Sequence, residues 1–294
     1  VPADPDDDAR LGRRFYLPTV SRGLLLSDPN ISHAGAVRMT FATVDRPEQA
    51  STTIIYYSGQ LGLTRDLGLE VTVPTQLVAV NVGGLDQSLY RFGNPLIAAK
   101  YRFYLPRVGR RQPILTARVR WGIAATQRNQ IPASDLFIEQ FSQPVTFPDT
   151  WAFFLEKSDV GAGFSLGWQA GWLIFGVETH LDYLFPTEVA TDQSSFLALG
   201  YGFAAGLQPF GEVATVFAET RGVSFLAGPA RTELQVYGGV RSRLFDFVEP
   251  ALWVGYPIGS AAEVTGLQVG AELRFSYDVR AIIELGGQRR DTGS

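Results

Sequence analysis

The stretch Trp172–Tyr183 reads W-L-I-F-G-V-E-T-H-L-D-Y. Side chains on a strand alternate between its faces, so Leu173, Phe175, Val177, Thr179, Leu181 and Tyr183 share one face. Ile174, Gly176, Glu178, His180 and Asp182 share the other. A soluble sandwich would turn the apolar face to its core and the polar face to water. A transmembrane barrel inverts that, apolar toward lipid and polar toward the lumen. The rest of the chain decides between the two.

Segments of similar length and alternation recur on both sides. Upstream they are Ala36–Val44, Thr53–Thr64, Gly68–Val80, Leu96–Leu105, Ile114–Ala125 and Gly161–Gln169. Downstream they are Phe196–Leu207, Phe210–Thr220, Arg231–Leu244, Val248–Tyr256 and Thr265–Tyr277. Each is close to the roughly ten residues that a tilted strand needs to cross hydrocarbon. Phe210–Thr220 alternates too poorly for its faces to be assigned. Ala170-Gly171 is expected to close a tight hairpin into the opening strand. If the first strand starts at the periplasmic side, the outer connections are 45–52, 81–95, 126–160, 184–195, 221–230 and 257–264. The inner ones are 65–67, 106–113, 170–171, 208–209 and 245–247. Long outside and short inside is the pattern of outer-membrane barrels. The fold expected is therefore all-β, an antiparallel up-and-down transmembrane barrel of about 12 strands over residues 33–278.

Composition agrees. Of 294 residues only 18% are charged while 46% are hydrophobic, with abundant glycine and aromatic residues. The absence of cysteine removes disulfides, thiolate metal sites and cysteine nucleophiles. A net charge of −4 gives no basic footprint for nucleic acid. No run approaches the 18 or so apolar residues of a spanning helix. Starting at Val1-Pro2-Ala3 rather than Met, the chain is expected to be a processed protein whose signal peptide has been removed.

The polar faces nominate the lumen lining: Arg38, Glu70, Lys100, Arg102, Arg118, Arg120, Glu178, His180, Asp182, Glu233, Arg241, Arg243, Glu272 and Arg274. Glycine and alanine on those faces (Ala198, Gly200, Gly202, Ala204, Gly206) would leave room inside. Trp121, Trp168, Tyr57, Tyr101, Tyr183 and Tyr201, on the apolar faces, suit interfacial girdles. Glu178, His180 and Asp182 follow one another about 7 Å apart, too far for one metal without neighbouring strands. They are expected to form a charge cluster paired with arginines such as Arg118 or Arg120, with no metal and no cofactor. A lipid hydrolase would need a serine beside His180. Ser165, expected opposite Gly176, is two pairs away, so no catalytic residue is assigned. In the long connection 126–160, Ser134–Phe141 and Phe147–Leu155 are expected as short helices. Trp151, Phe153 and Phe154 there form a candidate constriction or partner-binding loop, too apolar to lie bare in water.

Phe92-Gly93-Asn94-Pro95 followed by Lys100-Tyr101-Arg102-Phe103, with His33-Ala34-Gly35 ahead of the first strand, resembles bacterial outer-membrane porin-like channels. In particular it is similar to the MetA-type proteins of phenol-degradation pathways, although Asn94 stands where that family usually has Asp. The resemblance implies passage of apolar or aromatic solutes. The function expected is passive diffusion of small solutes across a bacterial outer membrane, in contact with the lipid bilayer and lipopolysaccharide. The alternative is a plugged barrel acting as a structural subunit of a larger cell-envelope complex with protein partners. Residues 1–32 would then be the periplasmic plug or docking arm, and 279–294 a C-terminal tail.

Overall fold

The computed structural model describes residues 31, 33–44, 49–64, 66–82, 85–104, 113–125, 150–153, 157–187, 195–209, 213–227, 232–244, 248–259 and 266–276. The strands are β1 (Ala34–Val44), β2 (Gln49–Gly62), β3 (Leu67–Val82), β4 (Leu85–Phe92), β5 (Leu96–Tyr104), β6 (Ile114–Gly122) and β7 (Lys157–Ala170). They continue as β8 (Leu173–Pro186), β9 (Phe196–Leu207), β10 (Ala214–Ala227), β11 (Thr232–Ser242), β12 (Val248–Ile258) and β13 (Gln268–Ser276). A 3-10 helix, Thr150–Phe153, precedes β7. Every pairing is antiparallel, and each strand lies beside its chain neighbours except at β4. The ring closes where β1 pairs with both β2 and β13. Closure removes the open edges of the ring, as hydrocarbon requires of strands that cross it, and among the described residues β4 keeps one flank without a strand partner.

β4 is the strand that periodicity did not reveal; it lies inside the expected loop 81–95. It pairs with the second half of β3, from Thr75↔Phe92 to Val82↔Leu85, while β5 pairs with the first half, from Leu67↔Tyr101 to Thr72↔Leu96. The two are thus upper and lower pieces of one stave, and twelve staves make the wall. The break is Gly93-Asn94-Pro95, three residues facing the two of Val73-Pro74. Proline has no N–H for the ladder and is found at such interruptions. Asn94 ties the break from both ends. Its Oδ1 accepts from the Ala125 N–H at 2.9 Å, and its Nδ2 donates to the Lys157 carbonyl at 3.4 Å. Its own N–H donates to the Ala152 carbonyl of the 3-10 helix. Asn94→Ala should therefore cost about 1–3 kcal/mol, the usual consequence of orphaning buried groups, read as a lower denaturant midpoint in micelles. Asn94→Asp should fall between, because it keeps the Ala125 bond and loses the other.

The hairpin between β7 and β8 also differs from expectation. Ala170 pairs with Leu173, so the loop is Gly171-Trp172, one residue further on. Gly171 has φ +62°, a left-handed conformation that glycine adopts without penalty, and this fixes it as the first loop residue. Ser165 accordingly sits opposite Glu178 rather than Gly176.

The two faces of the wall divide as the alternation implied. On β6, Val119 and Trp121 are 58% and 55% exposed, while Thr116, Arg120 and Gly122 between and beside them are buried. On β8, Val177, Leu181 and Tyr183 are exposed and Glu178 and Asp182 buried. The unassigned β10 resolves the same way: Thr215, Phe217, Glu219, Arg221 and Val223 point in, Val216 and Leu226 out. Exposed apolar residues recur on every stave, a continuous greasy band far larger than a soluble surface tolerates. Lipid is the solvent that makes such a band favourable, and the chain is a transmembrane barrel of the bacterial outer-membrane type.

Candidate functional site

Neighbouring strands lie about 4.8 Å apart, so inward residues on alternate strands are separated by nearly 10 Å. Two large side chains meet across that span only if the strand between contributes almost nothing, and inside this barrel it contributes glycine. Arg120 on β6 and Asp182 on β8 occupy one row with Gly161 of β7 between them. Arg120 Nε donates to Asp182 Oδ1 at 2.7 Å and its Nη2 to Oδ2, a two-pronged pair. A Cβ at Gly161 would run into the Asp182 carboxylate. Glu178 on β8 and Arg221 on β10 repeat the device over Gly202 of β9, at 3.4 Å.

His180 lies between these two pairs on β8. Its Nε2 approaches Asp182 Oδ2 at 3.3 Å, and its ring covers the space that a side chain at Gly200 would occupy. Arg120 also reaches Asp159 Oδ2 at 3.6 Å. A second group forms around Glu70 of β3, which meets Lys100 at 2.8 Å and Arg118 at 3.0 Å. Lys100 is only 1% exposed. Arg102 meets Asp66 at 3.6 Å.

On the opposite arc Arg241 stands 4.0 Å from Glu272, and Arg274 is 4.0 Å from Glu249 and 3.4 Å from Gln60. Arg38 lays its guanidinium 4.3 Å from the Tyr56 ring centroid. Glu233 is buried on the inward face of β11, and Arg243 lies just past that strand's end. Of the nominated charged residues, those on strands lie on the buried face of the wall, gathered into separate groups rather than one centre.

Of the nominated loop residues, Phe153 is buried inside with Ala152, against Ile54, Tyr56 and Leu96. Its ring lies over Gly93, with the Arg91 guanidinium 5.1 Å from its centroid. Trp151 belongs to the 3-10 helix. Phe154, Ser134–Phe141, residues 1–30 and 279–294 lie outside the described residues. Residues 157–160, expected in the loop, open β7. The register places Ser165 one inward step from His180, closer than expected, but His180 turns its Nε2 to Asp182. Among the described residues no Ser165–His180 hydrogen bond forms.

Two inward aromatics, Phe217 and Trp253, lie on segments whose faces the alternation leaves unassigned, while Tyr237 falls on the polar face of its own. Phe217 of β10 and Trp253 of β12 share a row with Gly239 of β11 between them, and Gly270 of β13 stands on the far side of Trp253. The indole lies over Gly270, and the Tyr237 ring lies over Gly255. With Ile174 and Ala251 these aromatics form a buried apolar belt. Their signal was glycine at matched register, which cannot be seen until the register is known. Ile31, ahead of β1, packs inside against Gly62 and Gly68.

In architecture the chain is similar to an outer-membrane channel from Pseudomonas putida F1. The TM-score is 0.62 at 10% identity, covering 88% of this chain and 100% of that one. It is also similar to the NanC porin, with TM-score 0.51 at 9% identity over 83% of this chain and 99% of that one. No protein-family model matches the chain, and no curated protein matches it in sequence. At these identities the likeness is one of fold, which it shares with outer-membrane channels and porins.

Proposed function

We propose that the barrel is a channel for passive diffusion of small solutes across the outer membrane, β1 rising from the periplasmic side. The observation that carries this reading is the mixed lining of the lumen. Arginine–carboxylate pairs line it from β6 to β10 and again from β11 to β13, and the aromatic belt of β10 to β12 is set among them. A path lined by fixed charges of both signs with rings between them suits small solutes that are partly apolar. The paired charges hold no large field of either sign, so selectivity would come from width and lining more than from net charge. Together with the bilayer, lipopolysaccharide is the surrounding partner this reading implies.

Ile31, seated inside the barrel, favours a second reading in which the preceding residues occupy the lumen and the barrel serves as a structural subunit of an envelope complex. Single-channel recording in a planar bilayer separates the two. The channel reading expects discrete conductance steps from the full chain, with at most a several-fold rise when residues 1–32 are deleted. A silent full chain whose deletion variant conducts would overturn it and leave the plugged barrel.

A further inference from the structure

Around Gly255, on the inward face of β11 to β13, three hydrogen-bond donors find no acceptor among the described residues: Gln235 Nε2, Gln268 Nε2 and Trp253 Nε1. The three side chains are 1%, 2% and 2% exposed. Register gathers them. Gly255 pairs with Tyr237 on one side and Gln268 on the other, Trp253 is one inward step below it, and Gln235 faces Pro257 one inward step above. The Tyr237 hydroxyl donates to Gln235 Oε1, which fixes the amide with its Nε2 turned away. Buried donors are nearly always satisfied, and an exception asks for an acceptor supplied from elsewhere. Here the donors surround two aromatic rings, Tyr237 laid over Gly255 and Trp253 laid over Gly270.

We propose that this surface is a binding subsite for an uncharged planar solute bearing carbonyl-type acceptors, such as an aromatic amide or ketone. The rings supply the stacking surface, and the two amides and the indole supply donors to the solute's oxygen. The solute is uncharged because all three donors are neutral and the charges beside them are of both signs. Glu219 pairs in register with Tyr237 and Glu233 is one inward step from Gln235, while Arg221, in register with Gln235, is held by Glu178. An anion would meet those carboxylates with that arginine already engaged. The inference rests on the proposed channel reading and names what that path retains on the way through.

The test uses the purified full chain in detergent micelles and 19F NMR of 4-fluorobenzamide. Saturable binding above that of empty micelles is expected, weakened about tenfold or more by Trp253→Phe, which keeps a ring and removes the N–H. Gln235→Leu and Gln268→Leu, close in shape, should weaken it similarly, with folding checked by the SDS-resistant band. 4-Fluorotoluene, which lacks the acceptor, should bind more weakly and respond less than twofold to the variants. No saturable binding, indifference to all three substitutions, or a preference for 4-fluorobenzoate would overturn the subsite. If either leucine variant fails to fold, Trp253→Phe decides. Conductance of the same preparations keeps the two ideas apart. Binding without conductance sinks the channel and spares the subsite; conductance without binding does the reverse.

Discussion

Arg120→Ala should destabilise the barrel by about 3–5 kcal/mol, the usual result of removing one partner from a buried ion pair. The magnitude follows from what is left behind. Asp182 and Asp159 have side chains only 5% and 3% exposed, and Arg120 is the cation that touches both. Without it two buried carboxylates remain, with His180 beside Asp182. Desolvation of charge without a partner costs far more than the pair contributes, so the effect measures abandonment rather than attraction. Arg120→Ala combined with Asp182→Ala should therefore be less damaging than the single change, a sign reversal that a surface pair never shows. Equilibrium unfolding by denaturant in micelles is the measurement. A loss below about 1 kcal/mol would mean that water reaches these groups freely and that the lumen at this level is wide open.

That the pair could be anticipated at all depended on one strand. The alternation in Trp172–Tyr183 put Glu178 and Asp182 on one face, and an arginine on β6 was the natural partner for them. What could not be read was how the partners reach each other, because that requires register. Gly202 is expected only to leave room in the lumen; it is the gap over which Glu178 and Arg221 join. The same blindness hid Trp253 and Phe217. Alternation leaves the faces of their two segments unassigned, and these two point in because glycines in their own rows accept the rings. β4 escaped for another reason. Asp86, Gln87 and Ser88 are all exposed, so period-two contrast is lost where this upper stave has β3 as its sole strand partner among the described residues. The register slip at Gly171 has a backbone cause: the positive φ, not the sequence order of small residues, decides which residue leads the loop. Faces were legible because lipid imposes them on every stave; contacts between faces were not, because they depend on shear.

The face assignment itself makes the sharpest claim, and a single residue tests it. Thr179 lies exposed on the outer face of β8, midway between Phe175 and Tyr183, aromatics suited to the two girdles. Thr179→Arg should cost about 2–4 kcal/mol, the range for a cation near the bilayer midplane of a barrel. Tyr183→Arg, nearer the rim on the same face of the same strand, should cost only about 0–1 kcal/mol, because the guanidinium can reach the headgroups. Depth dependence is the discriminating result. On a water-facing surface both substitutions would fall within about 0.5 kcal/mol of the wild type and of each other. If the outer face instead packed against protein, both would be costly regardless of height. Refolding equilibria in lipid vesicles, not micelles, provide the measurement, since only a bilayer has a midplane for Thr179 to occupy.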